Sequence, residues 1–285
     1  MARFNSNLII SFSPVNPQLN TQAMFDIDYK EPKCSPIDEF LIRLQSINKL
    51  APQPTNFDSY QGQLVLLGVV AAVESYFRAI FRRLIDFDSG CQNAVQYVDV
   101  SYGAALHLSK ELLPEAILER ISFVSKKNIT TALKDLLAIK GNLPPELDVT
   151  IDAYARVCHL RHCAVHRFGK LGASNAIWLG ISEHKSLLEK PLMFDYTALQ
   201  NVIAIATGLV KTLNNFLFNE MICRVPDSEW VGNYKTDKHL FLKYYKLFSD
   251  QISSNRSAQP KKLYLQFNDA RIKFSAGRSS HRPLF

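Results

Sequence analysis

From Asp58 to Phe87 the chain reads as one uninterrupted helix, and the rest of the fold must be arranged around it. Asp58 or Ser59 can cap its start, because a short side-chain oxygen there accepts a hydrogen bond from an unpaired first-turn amide. Leu64 to Val73 is apolar on every side, so this half has to be enclosed by several neighbours. Beyond it the pattern narrows to a stripe of Val73, Tyr76, Phe77, Ile80, Phe81, Leu84 and Ile85. Glu74 and Arg78 stand four apart with Glu leading, the better order for a helical ion pair, and are expected to pair. The apolar run stops at Glu74, too soon to cross a bilayer, so no membrane partner is expected.

The same periodicity marks further helices. Ile37 to Leu50 places Phe40, Leu41, Leu44 and Ile47 on one side and ends before Pro52 and Pro54. One or two less regular helices lie between Ser89 and Ser125, interrupted near Pro114. Asn128 is expected to cap a helix through Lys140 that Gly141 stops. Pro144-Pro145-Glu146 opens a helix whose apolar face is Ile151, Tyr154, Ala155 and Cys158, running to His166 or Phe168 and ended by Gly169 and Gly172. Long helices are expected over about Asp195–Met221 and Lys235–Asp250. Leu171 to Pro191 reads as a loop, with Ile177 to Ile181 extended. Two β features are expected at the ends: a strand over Leu8–Val15 in a proline-rich arm, and a hairpin in the tail. The hairpin rests on the alternation of Leu263, Leu265 and Phe267, a turn at Asn268-Asp269, then Ile272 and Phe274. The fold class is therefore all-α, a helical bundle with small β accessories at the termini.

Charge is unevenly placed. Of the formal +7, most sits in the last segment, where Arg256, Lys261, Lys262, Arg271, Lys273, Arg278 and Arg282 face only Asp269. Such a tail is either a foothold for RNA phosphates or a solvated extension. Hydrophobic residues at 47% and charged residues at 21% fit an ordinary soluble domain. Arg3 followed by the brief Leu8-Ile9-Ile10 is not patterned as a secretion signal, so the cytoplasm is the expected location. Five cysteines at irregular spacings do not form a disulfide framework. Cys158 and Cys163, beside His159, His162 and His166, raise the question of zinc. Structural zinc normally draws ligands from separate segments, so buried free thiols are expected instead, with no metal and no cofactor.

The chemistry concentrates in Arg161-His162-Cys163-Ala164-Val165-His166, followed by Arg167-Phe168-Gly169. A guanidinium can hold a phosphate as it gains charge, and an imidazole can move protons near neutral pH. On spacing alone, Arg161 is equally well a surface cation favoured near a helix C-terminus, with His166 an ordinary helix-end histidine.

Val70-Ala71-Ala72-Val73-Glu74-Ser75-Tyr76-Phe77-Arg78, taken with Leu160-Arg161-His162-Cys163-Ala164-Val165-His166-Arg167-Phe168-Gly169, resembles the HEPN superfamily of α-helical domains. The similarity is closest to the branch found in predicted bacterial ribonucleases and phage-defence effectors. It spans roughly 58–221, leaving 1–57 as an arm with a short helix, 222–255 as an accessory helix and 256–285 as the basic tail. The resemblance implies an up-and-down bundle with Arg161 and His166 as the catalytic pair and His162 as the polar position that orients them. It also implies that Glu74 approaches the site from the earlier helix and holds the Arg; Glu74, Arg167 and Lys170 are the expected substrate contacts.

By the same resemblance the activity is metal-independent RNA cleavage. The 2′-hydroxyl attacks, leaving 2′,3′-cyclic phosphate and 5′-hydroxyl ends and sparing DNA. Two copies of the motif would face each other in a homodimer, and an antitoxin or regulatory partner would restrain a toxin or anti-phage effector. Where related toxins carry a modifiable tyrosine two residues after the histidine, this chain has Phe168, which lacks the acceptor oxygen. One alternative is a catalytically idle HEPN-like module that binds RNA, a nucleotide or a protein; another is a structural helical protein with a chance motif, in which Arg161 and His166 point apart or into the core.

Overall fold

The computed structural model describes residues 8–11, 14–253 and 259–279. The chain divides into two compact units, Met1–Lys33 and Cys34–Phe285. In the first, one turn of 3-10 helix spans Gln22–Met24. Residues 8–11, 14 and 15 form no strand, so the strand expected over Leu8–Val15 is not made there; Phe12 and Ser13 lie outside the described residues. A strand persists only where a neighbour completes its hydrogen-bond ladder, and no ladder forms among the described residues of this unit.

The second unit is all-α among its described residues. Its helices are α1 (Pro36–Asn48), α2 (Ser59–Phe87), α3 (Ser89–Val95), α4 (Tyr102–His107), α5 (Leu113–Leu118) and α6 (Lys126–Leu137). Then come α7 (Pro145–Arg167), α8 (Ala173–His184), α9 (Tyr196–Cys223), α10 (Tyr234–Phe248) and α11 (Pro260–Ser279). The long helices begin where side-chain chemistry starts them. Asp58 accepts from the Gln61 amide at 2.6 Å and Asp195 from the Ala198 amide at 2.6 Å. Pro145 opens α7, where Glu146 and Asp148 complement the positive end of the helix dipole.

Contacts at the helix ends give the directions. Ser59, which opens α2, receives a hydrogen bond from the Phe194 amide just before α9 (2.8 Å). At the far ends Asp88 caps α2 and pairs with Arg224, the cap of α9. Hence α2 and α9 run parallel. Tyr60 meets Phe168 at ring centroids 5.2 Å apart, so α7 ends where α2 begins and runs against both. α1 also runs against α2, with Ile47 beside Gly68 and Arg43 bonded to Ser75. Leu66, Val69, Val73, Phe77 and Ile80 of α2 are fully buried, as are Ile151 and Tyr154 of α7 and Leu209, Leu213 and Leu217 of α9. By length and composition α2 and α9 are each apolar enough to cross a membrane; here they are the core helices of the bundle.

Four expectations change. Arg78 pairs with Glu115 (3.3 Å) and donates to the carbonyls of Leu118 (2.8 Å) and Ile121 (3.2 Å). Glu74 instead accepts from the Phe123 amide at 3.3 Å, so tertiary partners replace the Glu74–Arg78 pair. α6 starts after Ser125, which accepts from the Asn128 amide, and stops at Ala138 in a left-handed conformation (φ 54°), three residues before Gly141. Leu171–Pro191 is not a loop: Asn175, Ala176 and Leu179 are buried at helical spacing, and α8 forms, with Gly180 (φ 112°, ψ 99°) kinking its end. The tail hairpin is also not made. In α11, Tyr264 and Asn268 are buried, Leu263 and Phe267 pack against Ile222, Trp230 and Phe241, and Leu265, Ile272 and Phe274 are exposed. The buried set repeats at helical intervals, and one docked apolar face outweighs the alternation that suggested strands.

Candidate active site

The candidate site lies at the C-terminal end of α7, and its backbone is locked. Phe168 takes the left-handed cap (φ 51°), Gly169 continues it (φ 87°), and the Phe168 and Gly169 amides both return to the Cys163 carbonyl. The segment leading to α9 is then tied down beside it. Leu192 donates to the Gly169 carbonyl at 2.8 Å, and the Leu192 carbonyl accepts from Gln63 (3.1 Å) and Ser59 (3.3 Å) of α2. A β-bridge joins Lys170 to Pro191. A Cβ on Gly169 would stand 2.8 Å from the Gln63 side chain, so glycine is required there both for its φ and for the close approach.

His162 and His166 come together: one turn apart and both exposed, their rings sit 4.5 Å centroid to centroid. Partial desolvation, then the neighbouring His166, His159 and Arg161, hold the His162 imidazole below its ordinary value. The shift favours the neutral imidazole, the form that accepts a proton.

Arg161 departs from a different side of the helix. At 100° per residue, five residues turn it about 140° from His166, onto the stripe of Tyr154 and Cys158. It is half-buried, and among the described residues no hydrogen bond or ion pair engages it. Burial is the main cause that holds the Cys158 thiol up at about 12; the neighbouring Tyr154 hydroxyl and Arg161 lower it, and Glu74 raises it. Glu74 and Arg161 thus flank the same buried thiol without pairing with each other among the described residues. The Tyr154 hydroxyl beside them is fully buried and lacks a hydrogen-bond partner of good geometry, its polar neighbour being the Cys158 thiol.

The remaining expected residues are placed apart. Arg167 pairs with Glu189 at 2.6 Å and lies against Gly172, on the side of α7 facing α8. Lys170 is exposed next to the bridge to Pro191. Cys163 is buried, its thiol pushed up by that burial, and contacts Gly172 and Asn175. Cys91 and Cys158 are buried free thiols too, whereas Cys223 is exposed. Among the described residues no three His, Cys, Asp or Glu side chains gather as a metal would require.

The sequence pattern does not announce two features of the site. His159 lies with Nδ1 3.0 Å from the Asn175 side-chain oxygen, and its ring stacks on Trp178 (5.9 Å, 15°). On the other flank, Phe168 covers Tyr60. Along α2, Tyr60, Leu64, Leu67 and Ala71 follow at helical intervals as an exposed or half-buried apolar stripe leading to Glu74.

No protein-family model, curated protein or solved structure matches the chain. Its reading rests on these residues and their chemistry.

Proposed function

We propose that the chain is a metal-independent endoribonuclease of the HEPN kind, acting as a homodimer in the cytoplasm under the restraint of an antitoxin or other partner. The observation that supports this most is the exposed, mutually close His162–His166 pair, one of whose imidazoles is shifted toward its neutral form, five residues or fewer from a guanidinium without a bound partner. Neutral imidazole takes the proton from the 2′-hydroxyl, and a protonated one delivers a proton to the departing 5′ oxygen. Arg161 presents a planar fork to the phosphate oxygens, which lysine imitates poorly.

Because Arg161 and His166 diverge on one helix, the nuclease reading requires a second copy to complete the site. The stripe from Tyr60 to Ala71, with Val165 and Phe168 exposed beside it, is apolar surface for that contact. Mixing R161A and H166A proteins tests it. If Arg161 of one copy serves His166 of the other, each being inactive alone, the mixture regains about a quarter of wild-type cleavage, since half the dimers then hold one intact site. No recovery argues against a site shared in this way.

The same divergence is what a structural helical protein carrying the motif by chance would show; the second reading is a catalytically idle module that binds RNA, a nucleotide or a protein through this end of the bundle. RNA carrying 2′-O-methyl groups separates the two readings. The nuclease cuts the unmodified strand and not the methylated one, whereas the idle module binds and cuts neither.

A further inference from the structure

Trp178 is the most exposed indole the described chain offers. It keeps 72% of its surface accessible, whereas Trp230, the chain's other tryptophan, keeps 6%. Its exposure is organised. One face rests on the His159 ring at 15° to parallel, and His159 is held in turn by Asn175, itself 5% exposed. The indole is thus partly backed by the offset imidazole and otherwise open. It stands on the histidine face of α7, because His166 follows His159 by seven residues, about 20° around the helix and ~10 Å along it.

The stretch of chain that carries it is cationic. Between Arg156 and Lys190 there are six Lys and Arg against Glu183 and Glu189. One of those cations, Arg167, is spent on Glu189, while Arg156, Lys170, Lys185 and Lys190 are exposed. A flat, exposed π-surface in a cation-rich stretch, on the same face of α7 as the His162–His166 pair, suits a nucleic-acid strand with an unstacked base.

We infer that Trp178, backed by His159, is a base-stacking platform that makes the protein select single-stranded RNA. This rests on the nuclease reading for its ligand but not for its observations. A duplex keeps its base faces covered by neighbours and offers nothing for the indole to stack on, so selection follows from the platform itself. His159 acts here as a positioning residue.

The test uses the full chain in an H166A background, so that RNA stays intact, with fluorescence anisotropy of a labelled short single-stranded RNA and of the same sequence as a duplex. Trp178→Ala is expected to weaken single-strand binding about 5- to 100-fold, the range for losing one stacked base. It should leave duplex binding unchanged, and Trp178→Phe should restore most of the loss. Melting curves confirm that both variants fold, as expected for so exposed a position.

Equal single-strand affinity of Trp178→Ala and its parent overturns the inference, as does a parent that prefers duplex or binds no RNA. So does a Trp178→Ala protein that changes oligomeric state with RNA affinity unaltered, which would mark the face as a protein interface. The nuclease reading is judged separately, by whether the protein with His166 intact cuts RNA. Cleavage that persists while Trp178→Ala leaves binding untouched sinks the platform alone.

Discussion

Removing either partner of the Asp88–Arg224 pair should be among the most damaging changes this chain can undergo. Asp88 is 3% exposed and the Arg224 side chain 25%. The carboxylate caps α3 by accepting from the Cys91 amide at 3.0 Å, takes two donations from Arg224, and lies 3.4 Å from the Tyr244 hydroxyl. Arg224 also donates to the Leu137 carbonyl at 2.7 Å, so one ion pair ties together α2, α3, α6, α9 and α10. Asp88→Ala strands a largely buried guanidinium, which costs about 3–5 kcal/mol. The lost cap adds about 1 kcal/mol.

Against a total stability of about 5–15 kcal/mol, Asp88→Ala should sit near the edge of folding. Arg224→Met strands the carboxylate instead and should cost a comparable amount. The double variant removes both charges and should be less unstable than the two losses predict, with a coupling of about 2–3 kcal/mol. Urea unfolding of the four proteins at one concentration measures this, with Asp88→Asn as a milder stand-in if Asp88→Ala will not fold. A coupling below about 0.5 kcal/mol, or an Asp88→Ala cost below about 1 kcal/mol, would refute the idea that the pair is a buried, mutually dependent unit.

Other outcomes follow from single sites. Tyr154→Phe deletes a buried hydroxyl that has no well-placed partner, so it should leave stability unchanged or raise it by up to about 1 kcal/mol; a loss above about 1 kcal/mol in urea would show that the hydroxyl is bonded. Ala138→Gly relieves a left-handed cap at φ 54° and should stabilise by about 0.5–1 kcal/mol; a lowered midpoint contradicts this. Burial alone would raise the Asp237 carboxyl, but bonds from Tyr264 and from the Val231 and Gly232 amides outweigh it and bring it below its ordinary value of 3.8. Its folded-state value being the lower one, it contributes stability above that ordinary value that is lost as pH falls through the folded value; Asp237→Asn should flatten the acid side of a stability-against-pH curve. For cleavage, His162 held below 6.5 should set the acid limb of the rate profile below that pH, and His166→Ala should move the His162 titration upward as measured by NMR.

The helices that position the site were legible because their signals are local. Asp58, Asp195 and Pro145 are starts that short-range chemistry dictates, and the unbroken apolar half of α2 calls for a helix packed on several sides. What escaped was decided at long range. α8 hides its helical character because only Asn175, Ala176 and Leu179 turn inward, while Ile177, Trp178 and Ile181 face out. α11 shows period-two alternation in Leu263, Leu265 and Phe267, yet docking onto Trp230 and Phe241 selects a different set of residues. Glu74 and Arg78 have ideal local spacing, but Phe123 and Glu115 compete for them successfully.

In the candidate site, the spacing of His162 and His166 announced their contact. The turn of about 140° between Arg161 and His166 is equally present in the spacing. The His159–Asn175–Trp178 group depended on a helix that the glycines at 169 and 172 concealed.

The decisive measurement is the chemistry of the RNA ends after incubation with the purified chain in excess chelator, alongside His166→Ala and Arg161→Ala. Wild-type protein should leave 2′,3′-cyclic phosphate and 5′-hydroxyl ends, and both folded variants should leave the RNA intact. A His166→Ala protein that cuts at the wild-type rate, or a wild-type activity that vanishes with the chelator, would contradict a guanidinium-and-imidazole nuclease at the end of α7.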